Sequence, residues 1–289
     1  AEIQEIRAEA SEQSRFLVRT QEERYFFDTL ILACGSPAGV PARERLGGYG
    51  IAEKLGLSVE KPLPALTALR CQEKWYKALA GVRCQAKVTL FVGGRERCRE
   101  AGELQLTDYG ISGIPVFQLS RYASEALASG KEVTASIDFF PQFSQKQWER
   151  FCGRQYEACQ GMSAAFLAEG MLHKKLAAHF LGMAGLKPSD PVSPRTKQKL
   201  FEMFSRMREL KTRIEAANPM ENAQVCMGGV SLLEVDERLE AVRVPGLFLC
   251  GEMLDVDGRC GGYNLQWAWT SGYIAGKEAA GKRRKGGRR

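Results

Sequence analysis

One segment near the end of the chain reads LFLCGEMLDVDGRCGGYNLQ, residues 247–266. It opens with a short apolar run that ends at Gly251, and such a run is typical of a strand buried inside an α/β sheet. Acidic residues and a glycine-rich turn follow, after which residues 263–281 have the composition of a helix. Because ligands of open α/β sheets bind beyond the carboxyl ends of strands, this order predicts a ligand site in an α/β fold.

The glycine-rich turn has the chemistry of a site for an anion or an electron-rich ring. Gly261 and Gly262 allow a close approach of the backbone, and the first N–H groups of the following helix are unpaired at its positive end. A carboxylate just upstream, such as Glu252, can accept hydrogen bonds from sugar or ribityl hydroxyls. These features predict the edge of a dinucleotide site, but they equally fit a tight turn whose glycines serve only its geometry.

An earlier segment, residues 29–36, is another apolar run, and it ends at Gly35 and Ser36. The run predicts a second strand buried on both faces, and the backbone that leaves it could pass close to a nucleotide. Simple strand termination explains the same residues. Before this run, the alternating pattern of residues 15–20 and the aromatic residues 25–27 predict a small antiparallel meander.

The middle of the chain follows a different pattern. Two prolines in residues 61–65 predict a linker or a domain boundary. Beyond it we expect strands and helices in the order strands 67–108, helix 114–128, strand 132–139, helices 142–185 and 195–208, and strand 209–216. The outline is one domain built from both ends of the chain, interrupted by an insertion from about residue 61 to residue 223.

Apolar residues of the helical segments give the expected core positions. For the helices of the insertion these are Trp148, Phe151, Met162, Phe166, Leu172, Leu176 and Phe180. For the final helix they are Leu265, Ala268, Trp269, Ile274 and Ala275. Burial of these side chains is expected because apolar residues of globular helices face the core.

The net charge of +7 comes almost entirely from the last eight residues, which contribute six positive charges. The rest of the chain sums to +1, which disfavours a broad basic face. The tail is either a solvated terminus or an anchor for nucleic acid, and its composition fits both.

The composition disfavours several other functional classes. No apolar run is long enough to predict a membrane span, for which about 18 residues are needed. Nine cysteines without a two-residue spacing are expected to be reduced thiols, which suggests a cytoplasmic location. His173 and His179 would not share a helix face, so we expect no metal site.

Several longer stretches together resemble one known family, the FAD-dependent oxidoreductases that include the aminoacetone-oxidase-like and 3-dehydro-bile-acid-reductase-like flavoproteins. The resemblance runs nearly from end to end. It is carried by residues Gly35–Gly56, Pro62–Leu66, Gly102–Pro115, Leu119–Arg121, Ala223–Val230 and, most specifically, Pro245–Gly276.

The resemblance implies a glutathione-reductase-like FAD-binding domain of residues 1–60 and 224–289. It also implies an inserted β-barrel-like domain of residues 61–141 and 187–223, with a helical insert of residues 142–186. The residues implied to lie against the flavin and its ribityl–diphosphate are Gly251, Glu252, Asp255, Gly261, Gly262, Tyr263, Asn264 and Leu265. Those implied to face the nucleotide half are Ala33, Cys34 and Gly35. This chain has Cys34-Gly35-Ser36 where the family usually has Thr-Gly-Gly, which removes a hydroxyl at position 34.

Members of this family begin with a strand, a glycine-rich turn and a helix that hold the FAD diphosphate, and this sequence starts after that unit. We therefore expect an incomplete FAD-binding domain that by itself binds FAD weakly or not at all. The expected function is an FAD-dependent oxidoreductase, NAD(P)H-linked, acting on a small organic substrate without a membrane partner. Two alternatives stay open: a nucleic-acid-associated protein acting through its basic tail, and an inactive flavoprotein remnant.

Overall fold

The computed structural model describes residues 3–8, 15–41 and 47–282. Packing separates the chain into two compact units. Unit 1 comprises Ala1–Leu66 with Pro219–Arg289, and unit 2 comprises Thr67–Asn218. The domain boundaries expected from the sequence, near residues 60 and 224, stay predictions that lie a few residues away from this division.

The first four strands of unit 1 belong to two small sheets. Strands β1 (Ile3–Ala8), β2 (Phe16–Thr20) and β3 (Arg24–Phe27) form an antiparallel meander. Strand β4 (Leu30–Leu32) pairs in parallel with β13 (Leu247–Leu249), and each residue of β4 lies opposite its counterpart in β13. The two apolar runs of the sequence are therefore neighbours, with their carboxyl ends at the same edge.

The expectation that both runs are buried on both faces is correct for β13 and wrong for β4. All three β13 residues are buried, whereas Ile31 of β4 is 39% exposed. Ile31 lies opposite Phe248, which packs against the final helix, but this helix does not extend its cover to Ile31. Within the described residues no strand pairs with the outer edge of β4.

Unit 1 also contains helix α1 (Gly48–Lys54), strands β5 (Val59–Ala65) and β12 (Val225–Val230), and helix α8 (Tyr263–Gly281). The linker alternative for residues 61–65 is wrong, because these residues belong to β5 and pair antiparallel with β12. The boundary alternative stays a prediction, and the division between the units falls just after Leu66. Prolines are tolerated in β5 because, among the described residues, a strand pairs with it on one side only, so that a missing N–H can face the free edge.

Helix α8 has the predicted bounds, and the expected core positions are confirmed only in part. Ala275 is buried, and Ala268 and Ile274 are half-buried, whereas Leu265 and Trp269 are 61% and 69% exposed. The buried positions are Ser271, Ala275 and Ala279, spaced four apart along one side of the helix. Small residues on this side let α8 approach the sheet closely, and the large side chains lie elsewhere on its surface.

Unit 2 combines a closed six-stranded barrel with helices that lie between its strands in sequence. Around the barrel the strands occur in the order β10 (Val133–Asp138), β11 (Leu210–Ala217), β6 (Leu69–Cys71), β9 (Gly110–Gly113), β8 (Arg95–Leu106) and β7 (Arg83–Val92). The helices are α2 (Tyr76–Leu79), α3 (Ile114–Ala128), α4 (Gln145–Ala158), α5 (Ala164–Glu169), α6 (Lys174–Met183) and α7 (Lys197–Arg208). The inserted barrel expected from the sequence is confirmed.

One continuous core joins the barrel to the helices of unit 2. Trp148, Leu176 and Phe180 are buried in it as expected, and Phe151 and Leu172 are half-buried. Met162 and Phe166 are 44% and 61% exposed, contrary to expectation, because the helical pattern around them is broken into short helices. None of the helices described is both long and apolar enough to span a membrane.

A glycine-to-alanine pair tests the closure of the barrel. Gly110 has φ of +153°, and a Cβ there would lie 2.3 Å from the Leu69 carbonyl oxygen. We expect Gly110→Ala to lower the free energy of unfolding by about 3 kcal/mol or more, because strain and a backbone clash combine. The control is Gly153→Ala in α4, where a Cβ meets no atom within 4 Å and alanine favours the helix. Urea unfolding followed by circular dichroism measures both, and equal effects would contradict the packing described.

Candidate cofactor site

Five of the predicted site residues lie where β4 and β13 end: Ala33, Cys34, Gly35, Gly251 and Glu252. The chain leaves β4 through Ala33–Ser36 and leaves β13 through Cys250–Met253. The Ser36 hydroxyl donates a hydrogen bond to the Glu252 carboxylate, which ties the two exits together across the sheet edge. The Tyr49 hydroxyl of α1 donates to the Glu252 carbonyl oxygen at 2.8 Å. The site is therefore built from three segments that are far apart in sequence.

Helix α1 begins directly against the end of β4. A Cβ at Gly48 would lie 2.8 Å from the Cβ of Cys34, so only glycine fits at this first helical position. The Cys34 side chain is half-buried in this contact, and burial raises the pKa of its thiol. Ala33 is exposed and Gly35, with φ of +73°, has open space around it. The backbone of this exit is therefore accessible although the Cys34 side chain is packed.

The glycine turn before α8 is open in the way the sequence suggests. Gly262 caps the helix in the left-handed conformation without any side-chain cap, and a Cβ placed on it would meet nothing within 4 Å. Tyr263 and Leu265 are 65% and 61% exposed. The helical hydrogen bonds start with the Gln266 N–H, which donates to the Gly262 carbonyl, so the preceding amides lie at an open helix start.

Two predicted site residues have structural contacts of their own. The Asn264 side chain accepts from the Gly258 N–H at 2.7 Å and donates to the Gly258 carbonyl at 3.0 Å, which closes the loop before α8. Asp255 accepts from the Gly228 N–H at 2.8 Å and so holds the bulge of β12. At Gly228, φ is +87° and a Cβ would lie 2.5 Å from the Lys61 carbonyl oxygen. Both side chains therefore shape the site.

The sequence did not predict the residues that hydrogen-bond to the Gly251 backbone. Its N–H donates to the Ser271 hydroxyl at 2.9 Å, and its carbonyl accepts from the Trp267 indole N–H at 3.1 Å. Both partners lie on α8, so the turn after β13 is fixed to the helix that follows it. A serine among alanines on a helix face gives no local sign of this contact, and neither Ser36 nor Tyr49 carries a motif that predicts its partner.

Burial controls the protonation of the site. It raises the pKa of the Glu252 carboxyl, and the Ser36 hydrogen bond opposes part of this rise. Burial, with nearby acidic groups, also raises the pKa of Tyr49 well above its usual value, so this phenol stays a neutral donor. Glu252 can therefore hold a proton or accept a hydroxyl hydrogen bond at the edge where β4 and β13 end.

Comparisons with known proteins decide the family. A family model described as the HI0933-like protein Rossmann domain matches residues 1–278. The chain belongs to the HI0933-like family. The HI0933-like proteins are flavoprotein oxidoreductases, which confirms the Rossmann-like fold class and the family expected from the sequence.

Three curated proteins show the range of HI0933-like relatives. The chain is 37% identical, over 95% of its length and 68% of the relative's, to a 3-dehydro-bile acid delta(4,6)-reductase of Clostridium scindens. It is 26% identical, over 94% of its length and 66% of the relative's, to a ribosomal RNA dihydrouridine synthase of Haemophilus influenzae. It is 29% identical, over 80% of its length and 55% of the relative's, to a ribosomal RNA dihydrouridine synthase of Escherichia coli. The chain thus spans about two-thirds or less of these relatives.

Three sequence expectations stay predictions beside this family assignment. They are the NAD(P)H linkage, the cytoplasmic location and the individual flavin contacts. The expected nucleic-acid anchor falls mainly on residues 283–289, which lie outside the described part of the chain.

The pH dependence of stability tests the environment of Glu252. A carboxyl whose pKa is raised by folding stabilises the fold while it is protonated, and this contribution is lost as the pH rises through the folded-state pKa. We therefore expect Glu252→Gln to be more favourable relative to wild type at pH 7 than at pH 4. Chemical unfolding at both pH values measures this difference. Glu53→Gln, an exposed change on α1, is the control and should show no such trend.

Proposed function

We propose that this chain forms the greater part of an NAD(P)H-linked, FAD-dependent reductase, with the flavin bound at the start of α8. The observation that carries the proposal is the open, uncapped start of α8. The next turns of this helix hold Gly251, at the edge where two parallel strands end and Ser36 reaches Glu252. An anionic or electron-rich group is favoured at such a position, because unpaired amides and the helix dipole act together.

The residues present fit the flavin end of FAD. The glycine conformations leave space beside the backbone at Gly35 and Gly262, where a side chain would otherwise fill the cradle. Glu252 offers acceptor oxygens to ribityl hydroxyls. The amides of Tyr263, Asn264 and Leu265 offer donors to an oxygen-rich group.

The nucleotide end of FAD has less support from this chain. Within residues 3–8, 15–41 and 47–282, the sheet consists of β4 and β13 alone, and dinucleotide sites of doubly wound folds use more strands than these two. Ile31 at the outer edge of β4 is left exposed. These facts support the expectation that the chain by itself binds FAD weakly.

Bound FAD would supply hydride transfer from NAD(P)H to an acceptor carbon. The chain would contribute orientation and electrostatics. The start of α8 would stabilise negative charge beside it, and Ser36 would hold the Glu252 carboxyl in place. Tyr49 would fix the backbone of Glu252 through its carbonyl and keep this segment from moving. No side chain is assigned as the proton donor to the substrate.

We propose that the substrate carries a carbon–carbon double bond next to a carbonyl group. Two of the relatives support this class, since a 3-dehydro-bile acid delta(4,6)-reductase and a dihydrouridine synthase are both described by the reduction of a double bond of this kind. The reaction adds a hydride to the carbon farther from the carbonyl and a proton to the nearer one, while NAD(P)H becomes NAD(P)⁺. A 3-oxo steroid and a uracil ring are the two candidate forms.

A flavin titration tests the site. We expect FAD to bind wild-type chain weakly, with a dissociation constant in the micromolar range or above, as measured by quenching of flavin fluorescence. Gly262→Ala should weaken binding at least tenfold, because a side chain is strained at φ of +93° and intrudes on the open cradle. Gly276→Ala, in the middle of α8 with open space around it, is the matched control and should leave the affinity within twofold.

Ser36→Ala keeps every glycine and removes only the hydrogen bond from Ser36 to the Glu252 carboxylate. It therefore separates the effect of backbone strain from the effect of a displaced carboxylate. A smaller loss of affinity is expected for it than for Gly262→Ala. Absence of wild-type binding at 1 mM FAD, or equal losses in Gly262→Ala and Gly276→Ala, would remove the site from α8.

Turnover tests the reaction class. With excess FAD and NADPH or NADH under anaerobic conditions, we expect consumption of a 3-oxo-4,6-diene steroid or of uridine in RNA, with one reduced nucleotide oxidised per double bond lost. Mass spectrometry should show a gain of two hydrogens. Reduction of neither acceptor, in a sample shown by fluorescence to hold FAD, would sink the substrate class while leaving the flavin site intact.

A further inference from the structure

Charge is distributed unequally between the two units. Unit 2 contains 23 Lys and Arg residues against 15 Asp and Glu residues, a net charge of +8. Unit 1, counted up to Gly281, contains 12 Lys and Arg against 19 Asp and Glu, a net charge of −7. The near-neutral sum that disfavoured a basic face is therefore misleading, because it adds two units of opposite sign.

Unit 2 has a cavity where β8 passes the end of α3. Its volume is about 350 Å³, and its charged and aromatic lining consists of Arg95, Glu96, Arg97, Tyr122, Glu125 and Lys131. We call it the β8–α3 pocket. It lies beside the β7–β8 turn at Gly93 and Gly94, at one end of the barrel.

Two guanidinium groups flank the aromatic ring of the β8–α3 pocket. The Arg97 guanidinium lies 4.8 Å from the centre of the Tyr122 ring, and that of Arg121 lies 5.6 Å from it. Stacking of this kind restrains Arg97 while leaving its N–H groups able to donate. A restrained cation loses less entropy when it binds an anion.

The local charge balance favours an anion in the β8–α3 pocket. Glu96 is already paired with Arg99 at 2.8 Å. Across the described part of the chain, Arg95, Arg97 and Lys131 have no ion pair, and Glu125 is the remaining acid of the lining. The Gly130 and Lys131 N–H groups cap the last carbonyls of α3, which limits the repulsion that a helix C-terminus exerts on an anion.

We propose that the β8–α3 pocket binds a phosphate of single-stranded RNA, and that the remaining positive charge of unit 2 attracts the rest of the strand. Arginine N–H groups match phosphate oxygens in geometry and charge. A volume of 350 Å³ holds one nucleotide-sized group. The positive charge of the whole unit suits a polyanion, whose binding is driven by release of counterions. This interaction belongs to unit 2 and needs no flavin in unit 1.

The test compares two triple variants with the same change in charge. Binding of a fluorescent 20-nucleotide RNA is followed by anisotropy over a range of salt concentrations. We expect Arg95→Ala/Arg97→Ala/Lys131→Ala to weaken binding at least tenfold and to reduce the slope of log affinity against log salt by about 2. The control, Lys146→Ala/Arg150→Ala/Arg154→Ala, removes three exposed cations from α4 and should weaken binding less than threefold.

Two further variants separate binding in the pocket from diffuse attraction and from binding by the C-terminal tail. Arg95→Lys/Arg97→Lys keeps the charge but loses the planar N–H groups and the stacking on Tyr122, so it should weaken binding more than the α4 control and less than the triple alanine variant. Circular dichroism confirms that each variant is folded. Equal weakening by the two triple variants would show diffuse attraction and overturn the pocket assignment. Loss of binding on truncation after Gly281, with no effect of the pocket variant, would assign binding to the tail and overturn it as well.

Competitors identify the source of the phosphate. Poly-uridylate should displace the labelled RNA at far lower phosphate concentration than inorganic phosphate or AMP. Equal competition by AMP, expressed per phosphate, would make this a mononucleotide site and overturn the RNA assignment. Equal competition by poly-glutamate of the same charge would also overturn the RNA assignment and would indicate an acidic protein partner.

Discussion

The parallel pairing of β4 with β13 is the constraint on which the candidate cofactor site depends. Each strand is three residues long, so the pairing supplies few hydrogen bonds and needs support from both faces. One face joins the main core of unit 1, and Phe248 and Cys250 pack against Ala275 and Ala279 of α8 on the other. Because the strands are parallel, this support places both chain exits at one edge, where Ser36 reaches Glu252.

Helix α8 links that sheet to the open glycine turn. Ser271 and Trp267 hold both polar backbone groups of Gly251, and small residues along the same side allow a close approach to the sheet. The N-terminus of the helix is therefore positioned by contacts made one and two turns further along. The cradle can consist of bare backbone because its placement does not require side chains at Gly261 or Gly262.

Patterns that depend on neighbours in sequence were predictable, and those that depend on distant partners were not. The bounds of α3 and α8 agree with those predicted from the residues within each segment. The strand β5 was not predicted, because its partner β12 lies about 160 residues away. Exposure of Trp269 depends on which side of α8 meets the sheet, and composition does not fix that side. For the site, the glycines before α8 indicated where an open backbone would lie. The hydrogen bonds of Ser36 and Tyr49 to Glu252 join segments about 200 residues apart and were not predictable.

The opposite charges of the two units bear on how a flavin dinucleotide could be held. Counted to Arg289, unit 1 has a net charge of −1, so its overall field gives a diphosphate no attraction. At physiological ionic strength that field is screened over about 8 Å, whereas amides at a helix start act by direct contact. Affinity at this site must therefore come from short-range, directional hydrogen bonds. Any disturbance of the backbone around Gly262 should then matter more than a change in the net charge of unit 1.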